Sequence, residues 1–385
     1  MTTIQMAQYW GYTDANIVYT QTTDGYILEL HHIPYGKEGQ GSNGQPRPVV
    51  FLQHGLLCAS DNFVWNLPNQ SLAFVLADYG FDVWMGNVRG NRYSQRHATM
   101  NSTDPKFWKF SWDEMAKYDL DAMIGKVLNL TGASSLYYIG HSQGTEIMFT
   151  KLSTDTDFHT KIKAFFALAP VATVKNIQGA LAYLAHNLFL EMEIMLDLLG
   201  GGPFLPASWI MDLLSETFCS QTSDKKGSIK EDGEEFCDNI FFLVGGPNTF
   251  QLNVSRTPVY TSHAPAGTSG QDVLHWMQMV LSGLQQAYDY GSAQENMNHY
   301  GSPTPPIYNI SLVNAPTYLY WSDEDWLGDA QDIQNYILPN LNPAILKGNY
   351  HMTEFNHLDY IFGVRAADEI YHPIAKLIQK DFIGN

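Results

Sequence analysis

The segment Gly140-His-Ser-Gln-Gly144 places a serine two residues from a glycine on either side. It follows the apolar run Leu136-Tyr-Tyr-Ile and precedes a helix-like stretch over 145–152, so the serine is expected on a sharp strand-to-helix turn. Side chains two positions before or after such a residue collide across the turn, which accounts for Gly140 and Gly144. The chemistry this setting serves is acyl transfer through a covalent intermediate on Ser142.

A serine hydroxyl is a weak nucleophile and needs a base within hydrogen-bond reach, with a carboxylate to hold that base in the right tautomer. In the strand–turn–helix form of this chemistry the acid and then the histidine follow the serine along the chain. The acid is expected after a late strand, where Tyr318-Leu-Tyr-Trp-Ser leads into a segment offering Asp323, Asp325 and Asp329. The base is expected before the last helix, at His357 in Asn356-His-Leu-Asp, with His351 as its competitor. Two backbone donors must face the developing oxyanion. One is the amide of Gln143; the other is that of Leu56 in Gln53-His-Gly-Leu-Leu, with Leu57 as the fallback and His54 as a structural hydrogen-bonding residue.

The elements that position these residues are legible as well. Residues 16–20 and 26–30 alternate around Asp24-Gly25 and predict an antiparallel hairpin. Unbroken apolar runs at 49–52, 81–85, 136–139, 164–168 and 317–321 fit strands buried on both faces of a parallel sheet. Helical patterns at 71–78 and 112–130 lie between them, and 364–383 predicts a last amphipathic helix. The fold class is α/β. Residues 1–173 and 309–385 form the core, and 174–308, helical and aromatic-rich, reads as an inserted cap. In the cap Leu181, Leu184, Leu188, Met192, Met195 and Leu199 follow helical spacing and predict one apolar face, packed on the core or turned to an acyl chain or lipid surface.

Composition bounds the rest. A formal charge of −18 makes nucleic acid and anionic surfaces poor partners, and protonation of the 13 histidines and many carboxylates in an acidic lumen would bring it towards zero. There is no run of about 20 apolar residues, and residues 1–8 lack the basic and apolar regions of a signal peptide. Sequons begin at Asn69, Asn101, Asn129, Asn253 and Asn309, which fits a secreted or endolysosomal chain whose targeting segment has been removed. Three cysteines allow at most one internal disulfide; Cys219 and Cys237 flank a polar loop and are the candidate pair, two buried thiols being the alternative. Cys58 reads as a small apolar residue. No Cys/His cluster has zinc-ligand spacing, and the chemistry asks for neither metal nor cofactor.

Several long motifs together carry a resemblance. Leu52-Gln-His-Gly-Leu-Leu, Asp82-Val-Trp-Met-Gly-Asn-Val-Arg-Gly-Asn91, Asp113-Glu-Met-Ala-Lys-Tyr-Asp119, Gly140-His-Ser-Gln-Gly-Thr, Ala167-Leu-Ala-Pro-Val-Ala and Asn356-His-Leu-Asp resemble the acid lipase family of gastric and lysosomal lipases, over nearly the whole chain. The resemblance implies an α/β-hydrolase fold with a mostly parallel sheet, an inserted cap and a lid at about 203–234. It implies a serine lipase acting on acylglycerols or cholesteryl esters at a lipid–water interface, expected as a monomer. Matched by motif, Ser142 is the nucleophile, Asp325 the acid, His357 the base, and Leu56 and Gln143 the oxyanion donors; Cys219 and Cys237 fall where the family has a cap disulfide. The chain has Glu324 where the family has Asn before the acid, which keeps Asp323 in view, and Asp329 suits a helix cap. A non-catalytic lipid carrier of the same fold and an esterase of soluble short-chain esters are the alternative functions.

Overall fold

The computed structural model of the protein describes residues 1–39, 46–204, 245–247 and 249–384. A nine-stranded sheet runs in the order β1-β2-β4-β3-β6-β7-β8-β9, with β5 paired to β2 off this path. The strands are β1 (Asn16–Gln21), β2 (Tyr26–Ile33), β3 (Val49–Gln53), β4 (Asp82–Met85), β5 (Arg96–His97), β6 (Leu136–His141), β7 (Ile162–Leu168), β8 (Thr317–Ser322) and β9 (Leu346–Met352). The predicted hairpin is β1 and β2, antiparallel with Asn16 opposite His32. From β4 through β9 every neighbouring pair on the path is parallel.

The unbroken apolar runs have a physical reason. Alternate residues of β6 point to opposite faces, and each face has its own core. Leu136 and Tyr138 pack with Phe51, Phe149 and Phe165, whereas Tyr137 and Ile139 pack with Leu52, Phe166 and Tyr320. Both faces are covered by helices, so neither needs polar residues. The helices used below are α1 (Thr3–Tyr9), α2 (Leu72–Asp78), α3 (Trp112–Glu114), α4 (Leu120–Thr131), α5 (Gln143–Thr154), α6 (Gly179–Asn187), α7 (Phe189–Leu199), α8 (Gly270–Ser282) and α9 (His372–Ile383). A π-helical turn at Met115–Asp119 joins α3 to α4 within the predicted 112–130 helix.

Two expectations need correction. Strand β9 was not foreseen: it is an edge strand, mostly exposed and interrupted by Gly348, and has no apolar run to betray it. The single apolar face from Leu181 to Leu199 is broken at Leu188, whose backbone (φ −131, ψ 12) leaves the helical region and separates α6 from α7. Leu181, Leu184 and Met192 are buried, but Leu199 is 60% exposed. On α7 a second row, Leu190, Ile194 and Leu198 at intervals of four, faces solvent. No helix among the described residues is long and apolar enough to cross a membrane. Cys219, Cys237 and the 205–234 part of the expected lid lie outside the described residues.

Candidate active site

Strands β3, β6, β8 and β9 are parallel and end on the same edge of the sheet, so the segments that follow them meet there. Ser142 follows β6, Gly55 to Cys58 follow β3, Asp325 follows β8, and His357 follows β9.

Ser142 adopts φ 56 and ψ −125, a strained conformation for a residue with a Cβ. The surroundings hold it there. Its amide donates to the Leu168 carbonyl at 3.1 Å, its carbonyl accepts from Thr145 Oγ1 at 2.7 Å, and the Tyr138 hydroxyl donates to the Gly144 carbonyl at 2.7 Å. The flanking glycines are required sterically. A Cβ at Gly144 would lie 2.4 Å from the Gln53 carbonyl oxygen, and one at Gly140 would lie 2.6 Å from the Gly144 carbonyl oxygen. Gly55 meets the same limit, since its Cβ would lie 2.8 Å from Ser142 Cβ. The β3 loop is thus pressed against the serine.

Asp325 is fully buried, and its Oδ1 accepts from His357 Nδ1 at 2.8 Å, from the Leu327 amide at 2.9 Å and from the Gly328 amide at 2.7 Å. His357 is held on the main chain too, its amide donating to the Gly245 carbonyl at 2.8 Å. The loop carrying it is closed by Asn356 and Asp359: the Asn356 side chain accepts from the Leu358 amide, and the Asp359 carboxylate accepts from the Asn356 amide. With Nδ1 committed to Asp325, the other ring nitrogen of His357 has no partner among the described residues, and neither has Ser142 Oγ. Both side chains line one cavity, with Gly55, Leu56, Leu57 and Cys58 on one wall and Leu181, Leu184, Phe204 and Val273 on the other.

The competing acid and base pair with each other elsewhere. His351 Nε2 meets Asp323 Oδ2 at 3.0 Å, with side chains 50% and 63% exposed, so this is a surface pair. Asp329 caps the turn at Ala330–Asp332 through Gln331, as its position implied. Of the expected oxyanion donors, the amides of Leu56 and Gln143 have no hydrogen-bond partner among the described residues. Leu57 takes φ 59 and its carbonyl accepts from Ala266. His54 has both ring nitrogens engaged, Nδ1 with the Gly55 carbonyl and Nε2 with Asn91 and the Val88 amide; burial pushes its pKa down to about 4. It is a strut of the β3 loop.

Three contributors escaped the sequence reading. His141 is buried and donates from Nε2 to the His357 carbonyl at 2.8 Å, and burial, with the neighbouring His357 second, lowers its pKa to about 3. The Gln143 side chain accepts from Trp276 Nε1 at 2.6 Å, tying the turn to α8. Glu146, one turn into α5, is fully buried, neither carboxylate oxygen has a hydrogen-bond partner among the described residues, and burial raises its pKa well above the ordinary range. The signal for His141 was its identity in the variable second position of the pentapeptide; the other two needed the fold. Cys58, also on the cavity wall, is a buried thiol pushed up to about 12 by burial, which leaves it un-ionised. The sequon asparagines Asn69, Asn101, Asn129 and Asn309 are exposed, while Asn253 is half-buried and donates to Gln70. Among the described residues no group of three or more His, Cys, Asp or Glu is placed to hold a metal ion.

Residues 48–358 match the model of the alpha/beta hydrolase fold, and 3–67 that of a partial alpha/beta-hydrolase lipase region. The chain is 51% identical to the lipase lipl-3 of Caenorhabditis elegans, over 100% of this chain and 93% of the relative. It is 43% identical to human gastric triacylglycerol lipase, over 98% of this chain and 90% of that one. The human lysosomal acid lipase/cholesteryl ester hydrolase is also 43% identical, over 99% and 91%. Among solved structures, a soluble variant of Saccharomyces cerevisiae monoglyceride lipase aligns with a TM-score of 0.53 at 12% identity, over 95% of each chain, a likeness of fold.

Proposed function

This chain belongs to the acid lipases of the α/β-hydrolase fold, and from that membership we propose that it cleaves neutral-lipid esters through an acyl-enzyme on Ser142. It is a carboxylic ester hydrolase. The observation that carries the assignment of roles is the sharing of one cavity by Ser142, on its strained turn, and His357, whose Nδ1 is held by buried Asp325.

In the first step the free ring nitrogen of His357 takes the Ser142 hydroxyl proton as the oxygen attacks the ester carbonyl, and the Leu56 and Gln143 amides receive the oxyanion. Collapse expels the alcohol, which leaves with the proton from His357. Water then attacks the acyl-enzyme by the same route and the fatty acid departs. Asp325 keeps the imidazole in the tautomer that presents its lone pair to Ser142 and stabilises the imidazolium.

Residues 174–308 act as a cap on this reading, which the presence of Leu181, Leu184, Phe204 and Val273 on the cavity wall supports. The solvent-facing row Leu190, Ile194 and Leu198 supports contact with a lipid surface, a neutral one given the charge of −18. A secreted or endolysosomal site of action is supported by the four exposed sequons and by the gastric and lysosomal lipases among the relatives. We expect a monomer.

Hydrolysis of an emulsified triacylglycerol, a cholesteryl ester and a short soluble ester, by wild type and Ser142→Ala, tests the reading. Lipid turnover that Ser142→Ala lowers by at least about 10⁴-fold supports it. Equal rates for the two proteins would make the chain a lipid carrier, and turnover confined to the soluble ester would make it a simple esterase.

A further inference from the structure

The cavity that Ser142 and His357 share measures about 40 Å³. At about 10–15 Å³ for each water-sized sphere it holds a few waters and no acyl chain. A second, larger cavity of about 480 Å³ lies beside it, within the range of roughly 300–1,000 Å³ usual for small-molecule sites. Trp108, Met192, Met195, Leu196, Leu199 and Phe204 are its large apolar lining residues. Among the described residues Phe204 alone lines both cavities.

The main chain around Phe204 is fixed: its amide donates to the Thr268 carbonyl at 2.9 Å, and Pro203 bridges to Ser269 at the start of α8. Opposite it, Gly270 allows Leu196 of α7 to approach so closely that a Cβ there would sit 2.3 Å from Leu196 Cδ2. The backbone at 203–204 is therefore anchored, and movement falls to the Phe204 ring. Methionine and leucine walls are apolar and adaptable, suited to an alkyl chain of variable conformation.

We propose that the cavity between α7 and the start of α8 receives the acyl chain of the ester, and that the Phe204 ring is the partition that must turn aside to admit it. Phe204 and Met195 then set the preferred acyl length. The inference rests on the proposed ester hydrolysis at Ser142 and adds where the chain goes.

The test measures kcat/KM for p-nitrophenyl butyrate and p-nitrophenyl palmitate in wild type, Phe204→Ala, Met195→Trp and the milder Met195→Phe. Filling the cavity with Met195→Trp is expected to lower the palmitate-to-butyrate ratio at least tenfold, Met195→Phe to lower it less, and Phe204→Ala to raise it severalfold. Ratios within twofold of wild type in all three would overturn the proposal. If Met195→Trp does not fold, Met195→Phe and Phe204→Ala decide. Binding of a pyrene-labelled hexadecanoic acid to Ser142→Ala, with and without Met195→Trp, separates the two levels of the argument. Loss of binding with Met195→Trp supports the acyl cavity even if wild type hydrolyses neither ester, and unchanged binding counts against it even if both are hydrolysed.

Discussion

The imidazole of His141 donates to the main-chain carbonyl of His357 at 2.8 Å, so the residue before Ser142 grips the loop that carries His357. Ser142 and His357 lie 215 positions apart in sequence, and this bond joins their two segments independently of Asp325. The low pKa of His141, about 3, keeps it neutral across the physiological range, so it adds no positive charge beside the imidazolium that the proposed mechanism forms on His357.

Loss of that grip should loosen the geometry without removing a reacting group. His141→Ala is expected to lower kcat by roughly 10–100-fold, since a displacement of about 1 Å costs up to 10²-fold, with a smaller change in KM. His141→Gln, which keeps a donor, should recover part of the loss. Steady-state kinetics on a soluble ester check this; an unchanged kcat in His141→Ala would show that the loop holds itself.

The two acid–base pairs should behave oppositely. Asp325→Asn keeps the shape of the buried carboxylate but favours the wrong tautomer of His357, with an expected loss of about 10⁴ in kcat. Asp323→Asn and His351→Ala disrupt an exposed pair, and their kcat should stay within about twofold of wild type, in keeping with the small worth of surface ion pairs.

Gly55→Ala tests the closeness of the β3 loop to the serine. The added methyl would lie 2.8 Å from Ser142 Cβ, so the loop must move, and the Leu56 amide with it. The expected outcome is a loss of about 10²–10³ in kcat, the scale of one oxyanion donor, and a stability loss of about 1–3 kcal/mol. Kinetics and chemical denaturation report the two separately.

The pH dependence of stability has two limbs. Burial raises Asp272 to about 7 and Glu146 well above its ordinary value, and half-buried Asp113 and Glu114 are raised to about 7 as well. A carboxyl with a raised folded-state pKa contributes fully below its unfolded value, about 4, and loses that contribution as pH rises through the folded value. Buried His54, His141 and His275, lowered to about 4, 3 and 3, have the opposite sign: stability falls as pH drops below their unfolded value, about 6.5. The unfolding temperature should therefore peak at mildly acidic pH and decline from pH 6.5 to 8. Glu146→Gln, which removes a buried ionisable carboxyl with no hydrogen-bond partner among the described residues, should flatten the alkaline decline. Calorimetric scans across pH check it, and an alkaline limb identical to wild type would remove Glu146 from the explanation.

What the sequence made legible follows its physics. The pentapeptide around Ser142 is constrained by backbone sterics, and the runs at 49–52 and 136–139 by burial on both faces, so each was readable from one segment alone. Between Asp323 and Asp325 the residues alone left the acid open and the spacing of the matched motif favoured Asp325; the burial of Asp325 against His357 and the exposure of Asp323 depend on the fold, which no single segment encodes. Strand β9 hides because an exposed edge needs no apolar pattern, and the break at Leu188 hides because no glycine or proline marks it. Trp276 hides because it acts on Gln143 from 133 positions away, and Glu146 because the burial of a helical carboxyl shows only once the fold is built.

The most direct test of the central claim is labelling with a p-nitrophenyl alkylphosphonate, followed by release of p-nitrophenol and peptide mass spectrometry. One equivalent of p-nitrophenol per chain and a single phosphonyl group on the Ser142 peptide are predicted, with both absent in Ser142→Ala and labelling slowed at least about 10³-fold in His357→Ala. Stoichiometric labelling of another residue, or labelling at the wild-type rate in His357→Ala, would contradict the account.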